Sequence, residues 1–169
     1  MTASLTDSEF AQQYGPWAVI AGASEGTGRA FARQIAAKGV RCILIARRDA
    51  PLQALAQQIQ AESGVECVTA SVDLAMPGAA ERIATVVGDR EVGLYISNAG
   101  ADPNGALFLD LDISAWNDLV NRNVVATMQC CHHFGQQMRA RQGRPSAGQL
   151  LRLLRRRQLA GHLFGEQGV

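Results

Sequence analysis

Four short apolar runs recur along the chain, and the segments between them carry apolar residues at helical spacing. The runs cover residues 17–21, 40–46, 65–72 and 92–97. Continuous apolar stretches of this length are typical of strands that are buried on both faces of a parallel sheet. Strands that alternate with helices of about 10–15 residues form successive right-handed βαβ units. The pattern predicts an α/β fold with a doubly wound parallel sheet.

The boundaries of the predicted helices are marked by glycine and by small polar residues. Gly39 and Gly64 stand where two helices should end, since glycine adopts the left-handed conformation that closes a helix. After the fourth strand, a long helical pattern runs from about residue 114 to residue 139, with Ser114 as its predicted N-cap. Residues 1–15 form a polar lead-in before the first strand.

Composition limits the class of protein. The chain has 169 residues, of which 47% are hydrophobic and 18% charged. These values fit one globular domain and exclude a disordered chain, and no apolar run approaches the roughly 20 residues of a transmembrane helix. The first ten residues lack the basic and apolar regions of a secretory signal. The four cysteines have neither disulfide nor metal-ligand spacing, which is typical of a reducing compartment. We therefore expect a cytoplasmic protein with no membrane partner.

Four adjacent residues of the predicted long helix are of the types that bind metal ions. Cys130, Cys131, His132 and His133 are good zinc ligands, but adjacent residues on a helix point about 100° apart and do not converge on one ion. A helix with both core and surface positions explains the same four residues. The sequence therefore predicts no metal site.

A glycine-rich turn joins the first strand to the helix after it. Its spacing is Gly22-x-x-x-Gly26-x-Gly28. Glycine permits a tight turn and a close approach of the backbone to a pyrophosphate, whose charge is stabilised by free amides and by the helix dipole. Between an apolar strand and an amphipathic helix, this spacing predicts a dinucleotide-binding, Rossmann-type sheet. Because the alternation stops where a fifth strand is due, the sheet is predicted to be truncated after about four strands. A structural turn without a ligand is the alternative.

Residues 21–28, with the sequence AGASEGTG, resemble the cofactor loop of the short-chain dehydrogenase/reductase family. The resemblance covers residues 16–141, which are therefore predicted to be an incomplete dinucleotide-binding domain. It departs mildly from the family pattern, because Ala21 and Thr27 replace the usual threonine and isoleucine. The loop residues that the resemblance assigns to NAD or NADP binding are Gly22, Ser24, Glu25, Gly26, Thr27 and Gly28.

Three further matches occur in family order. Asp73, after the third strand, resembles the acid that hydrogen-bonds the adenine amino group. The segment S-N-A-G is similar to the family's N-N-A-G element, so Asn98, Ala99 and Gly100 are implied to shape the cofactor pocket. Asn123 resembles the asparagine that holds a water molecule in the family's proton relay. Alternatively, Asp73 caps a turn and Asn123 is a solvated helix residue.

The end of the second strand bears on cofactor preference. The strand ends at Ala46 and is followed by Arg47 and Arg48. NAD-preferring proteins place an acid here to bond the ribose 2′-hydroxyl, whereas guanidinium groups suit a 2′-phosphate. We therefore expect NADP to be preferred over NAD. The negative charge of Glu25 in the glycine loop argues against this preference. Alternatively, the two arginines are solvated and bind no ligand.

Catalysis in this family belongs to a Tyr-x-x-x-Lys pair, a serine and the asparagine. The lysine lowers the pKa of the tyrosine, so that the phenol exchanges a proton with the substrate oxygen while nicotinamide exchanges hydride. The two tyrosines of this sequence, Tyr14 and Tyr95, are not followed by a lysine four residues on. The resemblance thus implies an NAD(P)-dependent oxidoreductase acting on an alcohol or ketone, catalytically incomplete in this sequence, with homo-oligomeric full-length relatives. The alternative is a non-catalytic nucleotide-binding module with a basic interaction tail.

Residues 142–169 interrupt the alternation with a mixture of arginine, leucine and glycine. From Arg139 to Val169 there are seven arginines and one acid, Glu166, so this end of the chain has a net charge of +6. No aromatic residues interleave the arginines, so we expect no specific nucleic-acid partner. Read one nucleotide out of frame, allowed codons for residues 142–150 spell R-G-G-L-L-L-V-S-S, an apolar fifth strand that ends in serine. Around Leu163 and Phe164 they spell Y-S-A-S-K, 13 residues after the serine. The tail is therefore predicted to be out of frame; a genuine basic tail is the alternative.

Overall fold

The computed structural model describes residues 5–100 and 105–142, and in this part four parallel strands form one sheet. The strands are β1 (Trp17–Ala21), β2 (Arg41–Ala46), β3 (Cys67–Ser71) and β4 (Val92–Ser97). The helices are α1 (Asp7–Tyr14), α2 (Gly26–Ala37), α3 (Asp49–Ser63), α4 (Ala79–Val87), α5 (Ile113–Val120) and α6 (Ala126–Gln142). A 3₁₀ turn (Phe108–Asp110) precedes α5, and a π-helical segment (Asn121–Val125) joins α5 to α6.

The strand order β3-β2-β1-β4 confirms the predicted α/β fold with a doubly wound parallel sheet. From β1 the chain moves outward through β2 to β3 and then crosses to β4, on the other side of β1. Where the direction of winding reverses, the loops after β1 and β4 separate and leave a crevice at the carboxyl ends of the strands. The topology therefore places a ligand site at that edge.

The core lies around β1 and β2. All five residues of β1 and four of the six in β2 are buried, and Ile20 and Ile43 have no exposed surface. β3 is only half buried because it lies at the edge of the described sheet, where α3 packs against it. Burial therefore decreases from β1 and β2 to β3. This difference explains why the apolar pattern of the first two strands is almost uninterrupted.

The lead-in before β1 is a helix that packs onto the core. A capping box begins α1: the Thr6 side chain accepts from the backbone N–H of Glu9, whose carboxylate accepts from the backbone N–H of Thr6. Phe10 and Tyr14, spaced by one helical turn, are both buried, with ring centroids 4.6 Å apart. The N-terminal segment thus contributes to the same hydrophobic core as the sheet.

The long helix predicted over residues 114–139 is interrupted, and its predicted N-cap is wrong. Asp112, not Ser114, caps α5, because the Asp112 carboxylate accepts a hydrogen bond of 2.8 Å from the backbone N–H of Ser114. After Val120 the helix widens for five residues, and the N–H of Ala126 bonds to the carbonyl of Asn121, five residues earlier. Such a π-helical turn inserts one residue and thereby rotates the helical positions after it.

Candidate cofactor site

A cleft of about 240 Å³ opens at the carboxyl edge of the sheet. All four strands lead into it, so it lies where the strand order predicts a ligand site. We call it the cofactor cleft. Its lining comprises Gly22, Ser24 and Glu25 after β1; Ala46, Arg47 and Arg48 after β2; Val72, Asp73 and Leu74 after β3; Asn98, Ala99 and Gly100 after β4; and Arg122.

Two glycines of the turn are required by their contacts. Gly22 has φ of 84°, and a Cβ there would lie 2.6 Å from the Ala99 nitrogen. A Cβ on Gly28 would overlap the Gly22 carbonyl oxygen, so only glycine lets α2 pack this closely on the turn. Gly26, with φ of 54°, adopts the left-handed conformation where α2 begins, and no atom would meet its Cβ.

The first turn of α2 presents its amides without a side-chain cap. Glu25 is the N-cap residue, and its side chain makes no capping hydrogen bond. The Thr27 side chain is exposed beside it and does not line the cleft. Uncapped N–H groups at a helix N-terminus bind anions, because the donors and the helix dipole point the same way. The turn therefore fits a dinucleotide pyrophosphate.

The segment after β4 is bonded directly to the glycine turn. The backbone N–H groups of Asn98 and Ala99 both donate to the Ala21 carbonyl at 2.9 Å, and the Asn98 amide donates to the Gly22 carbonyl at 3.2 Å. These bonds fix one wall of the cleft against the other. The structure thus brings together two motifs that lie 76 residues apart in the chain.

The charged residues of the cleft lie after β1, β2 and β3. Arg48 pairs with Glu25 at 2.7 Å, and both side chains are mostly exposed. Arg47 lines the same part of the cleft, and among the described residues no ion pair involves it. Asp73 is half buried, with one carboxylate oxygen accepting from the Ala75 N–H at 3.0 Å. One end of the cleft is therefore basic, and a carboxylate lies beside it.

Asn123 lies in the π-helical segment, beside the last residue of the wall. Its side-chain amide donates to the Leu119 carbonyl at 2.9 Å, and a Cβ on Gly100 would overlap its Oδ1. Asn123 is exposed and does not line the cleft, unlike Asn98 and Gly100. Its predicted role in holding a water molecule stays a prediction.

Arg122 lines the cleft and was not identified from the sequence. It is half buried, and its Nε is buried without a hydrogen-bond partner among the described residues. A buried guanidinium nitrogen with no acceptor is costly, so the group is suited to a ligand that supplies one. In the sequence, only its position next to Asn123 indicates that Arg122 is near the site. That position does not show where the side chain is directed.

Neither tyrosine reaches the cleft. Tyr14 belongs to the buried face of α1, and Tyr95 lies inside β4 with its ring 5.2 Å from that of Phe134. Burial raises the pKa of Tyr95 well above its ordinary value, and the neighbouring Cys130 adds to this effect. A buried phenol with a raised pKa is a poor proton exchanger at neutral pH. Within the described residues, the cleft therefore holds no substitute for the catalytic tyrosine.

The described residues hold no cluster of three or more histidine, cysteine or acidic side chains that suits a metal ion. On α6, His132 and His133 instead approach Gln136 and Gln137, one helical turn further on. None of the helices in the described ranges has the length and apolar character needed to cross a bilayer.

Comparison with known proteins identifies the family. Residues 16–148 match the short chain dehydrogenase family model. The 7β-hydroxysteroid dehydrogenase of Collinsella aerofaciens is 32% identical over 123 residues, which are 73% of this chain and 46% of that protein. The chain spans about half the length of this relative.

Solved structures agree with this assignment. A 7β-hydroxysteroid dehydrogenase structure matches 80% of this chain and 53% of its own, with a TM-score of 0.75 and 32% identity. L-sorbose reductase from Gluconobacter frateurii, complexed with NADPH and L-sorbose, matches 76% of this chain and 49% of its own, with a TM-score of 0.70 and 27% identity. The chain belongs to the short chain dehydrogenase family.

Proposed function

We propose that this chain carries the cofactor-binding part of an NAD(P)-dependent oxidoreductase that interconverts an alcohol and a ketone. The observation that carries the proposal is the cofactor cleft itself. Its glycine turn is held against the segment Asn98–Gly100 by three hydrogen bonds, at the edge of the sheet where the winding reverses. Bound NAD(P) supplies the hydride acceptor or donor of the reaction.

The residues of the cleft have distinct parts in this proposal. The amides around Gly22 and the first turn of α2 bind the pyrophosphate. The carboxylate of Asp73 accepts a hydrogen bond from the adenine amino group, and the wall that includes Asn98 closes the pocket. The Nε of Arg122, which has no hydrogen-bond partner among the described residues, donates to an oxygen of the bound nucleotide. Asn123 holds a water molecule near the reacting end.

We further propose a preference for NADP. Ala46, at the end of β2, offers no carboxylate to a ribose 2′-hydroxyl, and Arg47 adds an exposed guanidinium beside it. Arg48 adds a second one, although Glu25 partly neutralises it. A dianionic 2′-phosphate competes well for such groups, because charge-assisted hydrogen bonds from arginine are the stronger ones. The NADPH bound in L-sorbose reductase is consistent with this choice.

Calorimetric titration of the 169-residue chain with NADPH and NADH tests both proposals. We expect NADPH to bind more tightly, and Arg47→Met to weaken NADPH by about tenfold while NADH is unchanged, since one charge-assisted hydrogen bond is worth about 1.4 kcal/mol. Arg82→Met is the matched control, because it removes an exposed arginine on α4 that does not line the cleft. Tighter binding of NADH than of NADPH would contradict the preference.

The absence of a Tyr-x-x-x-Lys pair leads us to propose that the chain is catalytically incomplete. Both tyrosines and the sole lysine, Lys38, lie in the described residues. Lys38 follows the last residue of α2, at the opposite end of that helix from the glycine turn, and pairs with Asp7 at 3.0 Å. The small-molecule substrate and homo-oligomeric assembly are proposed for full-length relatives. Residues 143–169, which include nearly all of the predicted out-of-frame tail, lie outside the described residues.

The absent catalytic pair also favours a second function, a non-catalytic nucleotide-binding module with a basic interaction tail. A nucleic-acid binding assay at physiological salt, run beside the cofactor titration, separates the two. Specific DNA or RNA binding at physiological salt would favour the module, whether or not NADPH also binds. NADPH binding with only weak, salt-sensitive nucleic-acid binding would favour the oxidoreductase.

A further inference from the structure

Two cysteines face each other across neighbouring strands on the amino side of the sheet. Cys42, the second residue of β2, is the register partner of Cys67, the first residue of β3. The Cys42 N–H donates to the Glu66 carbonyl at 3.2 Å, which holds the strands together at this point. Register partners on adjacent strands carry their side chains on the same face, with backbones about 4.8 Å apart. Disulfides span Cα separations of about 4.4–6.8 Å, so the backbone spacing suits one.

The two thiols differ in access. Cys42 has no exposed surface, and its Sγ lies 3.7 Å from the Ala32 carbonyl oxygen and 3.6 Å from that of Val40. Cys67 is half buried on the edge strand of the described sheet. A dissolved oxidant therefore meets Cys67 first, and Cys42 can act only from within the core.

The electrostatics of the pair have the same asymmetry. The neighbouring thiol is the first cause of both shifts: Cys67 raises the pKa of Cys42 well above its ordinary value, with burial adding to this, and Cys42 lowers the pKa of Cys67. Burial and the adjacent Glu66 oppose the lowering at Cys67. Cys67 is thus the nucleophilic member and Cys42 the proton donor, as in a reactive pair with a resolving thiol.

We propose that Cys42 and Cys67 form a peroxide-sensitive dithiol that closes reversibly to a disulfide between β2 and β3. The Cys67 thiolate attacks a peroxide oxygen, the O–O bond breaks, and Cys67 becomes a sulfenic acid while a protonated leaving group departs. The Cys42 sulfur then attacks the Cys67 sulfur, and the sulfenic oxygen leaves as water. With hydrogen peroxide, two thiols lose two electrons and two protons, and the peroxide is reduced to two waters.

The other two cysteines provide an internal comparison. Cys130 and Cys131 are adjacent on α6, so their side chains diverge by about 100° and do not meet. Burial raises the pKa of Cys130 to about 11 and also raises that of Cys131. Both therefore carry less thiolate than Cys67 at neutral pH, although they are present in the same chain at the same concentration.

The dithiol is remote from the cofactor cleft. Cys42 lies four residues before Ala46, which is about 13 Å along a strand. The proposal therefore does not rest on cofactor binding, and the two can fail separately.

The test treats the reduced 169-residue chain with hydrogen peroxide, blocks the remaining thiols with maleimide, and maps the digest by mass spectrometry. We expect a peptide cross-linked between Cys42 and Cys67, which dithiothreitol reverses, with Cys130 and Cys131 still labelled. Cys67→Ser should abolish the cross-link. Cys131→Ser, the matched control, should retain it.

Cys42→Ala removes the resolving thiol, so dimedone should then trap a sulfenic acid at Cys67 that the wild-type chain does not accumulate. The wild-type map decides the question even if that core variant fails to fold. A wild-type chain that keeps both thiols while Cys130 or Cys131 is oxidised would overturn the proposal. A persistent dimedone adduct on wild-type Cys67 without the cross-link would do the same.

Discussion

The chain up to β4 and the helical segment after it bury their apolar residues to very different extents. In residues 16–97, β1 and β2 are covered by neighbouring strands and by helices, and their large apolar side chains have almost no exposed surface. In residues 105–142, α5 has no buried residue, and Leu109 is 91% exposed. The exposed large apolar side chains of that segment are Leu107, Phe108, Leu109, Ile113, Val120, Val124 and Met128.

Only one face of α6 resembles the first region. Ala126, Cys130, Phe134 and Met138 recur every four residues, are buried, and form the stripe by which α6 packs against β4. Elsewhere on these helices, Met128 of α6 and Ile113 and Val120 of α5 are exposed. β4 likewise has β1 as its sole neighbour among the described strands. Residues 16–97 therefore bury most of their apolar side chains among themselves. Residues 105–142 instead expose apolar side chains of the kind that another part of a protein usually covers.

The largest expected effect comes from completing the second region. If residues 142–169 are out of frame, restoring the frame supplies an apolar fifth strand beside β4, a serine and Y-S-A-S-K. We expect dehydrogenase activity with NADPH over a panel of ketones, measured by absorbance, where the 169-residue chain has none. Sequencing the gene across codons 139–169 is the control. A shifted frame that contains a stop codon, or lacks Y-x-x-x-K, would rule the idea out.

In the first region, the most damaging single change to binding should be Gly28→Ala. The added Cβ overlaps the Gly22 carbonyl oxygen, so α2 must move away from the turn that binds the pyrophosphate. We expect NADPH affinity to fall by at least about tenfold, which is about 1.4 kcal/mol, in calorimetry. Thr85→Ala, at an exposed position on α4 that does not line the cleft, should bind normally. Unchanged affinity in Gly28→Ala would show that the turn does not approach the cofactor.

Paired truncations compare the stability of the two regions directly. Ile43→Ala should lower the free energy of unfolding by about 2–4 kcal/mol, because it opens a cavity in a fully buried site. Leu109→Ala should change it by less than about 0.5 kcal/mol and should reduce self-association, since it removes exposed apolar surface. Urea titration and light scattering measure the two quantities. Equal losses of stability would mean that Leu109 is covered in solution.

The smallest effect concerns the charge beside the cofactor cleft. Glu25→Gln removes the carboxylate that pairs with Arg48 at 2.7 Å, and so leaves both guanidinium groups to a 2′-phosphate. Exposed pairs are worth about 0.2–1 kcal/mol, so NADPH should bind at most about fivefold more tightly, with NADH unchanged. Weaker NADPH binding in this variant would assign Glu25 a direct contact with the cofactor.

Much of the fold was predictable because its signals are local. A strand buried on both faces must be apolar throughout, so the runs at 17–21 and 92–97 coincide with β1 and β4. The predicted runs at 40–46 and 65–72 extend beyond β2 and β3, because the residues that flank a strand also pack against the core. A glycine with φ above zero is likewise visible in the sequence, since few other residues adopt that conformation.

Local sequence signals did not distinguish between neighbouring residues that suit the same structural role. Asp112 and Ser114 both suit an N-cap, and the choice went to Asp112 because its backbone is extended where α5 begins. The π-helical widening at Asn121 also has no marker in the sequence. It changes the rotation of every residue after it, so the buried face of α6 could not be derived by counting from the start of the helix.

The sequence by itself determined which segments are strands, where the glycine turn lies and which motifs accompany it, because each depends on residues that are neighbours in the chain. Only the tertiary structure decided that Arg122 reaches the cofactor cleft and that Cys42 faces Cys67. Both depend on how distant elements are aligned: a helix rotation in one case and a strand register in the other. These are set by the packing of the whole core, in which no single residue specifies its partner.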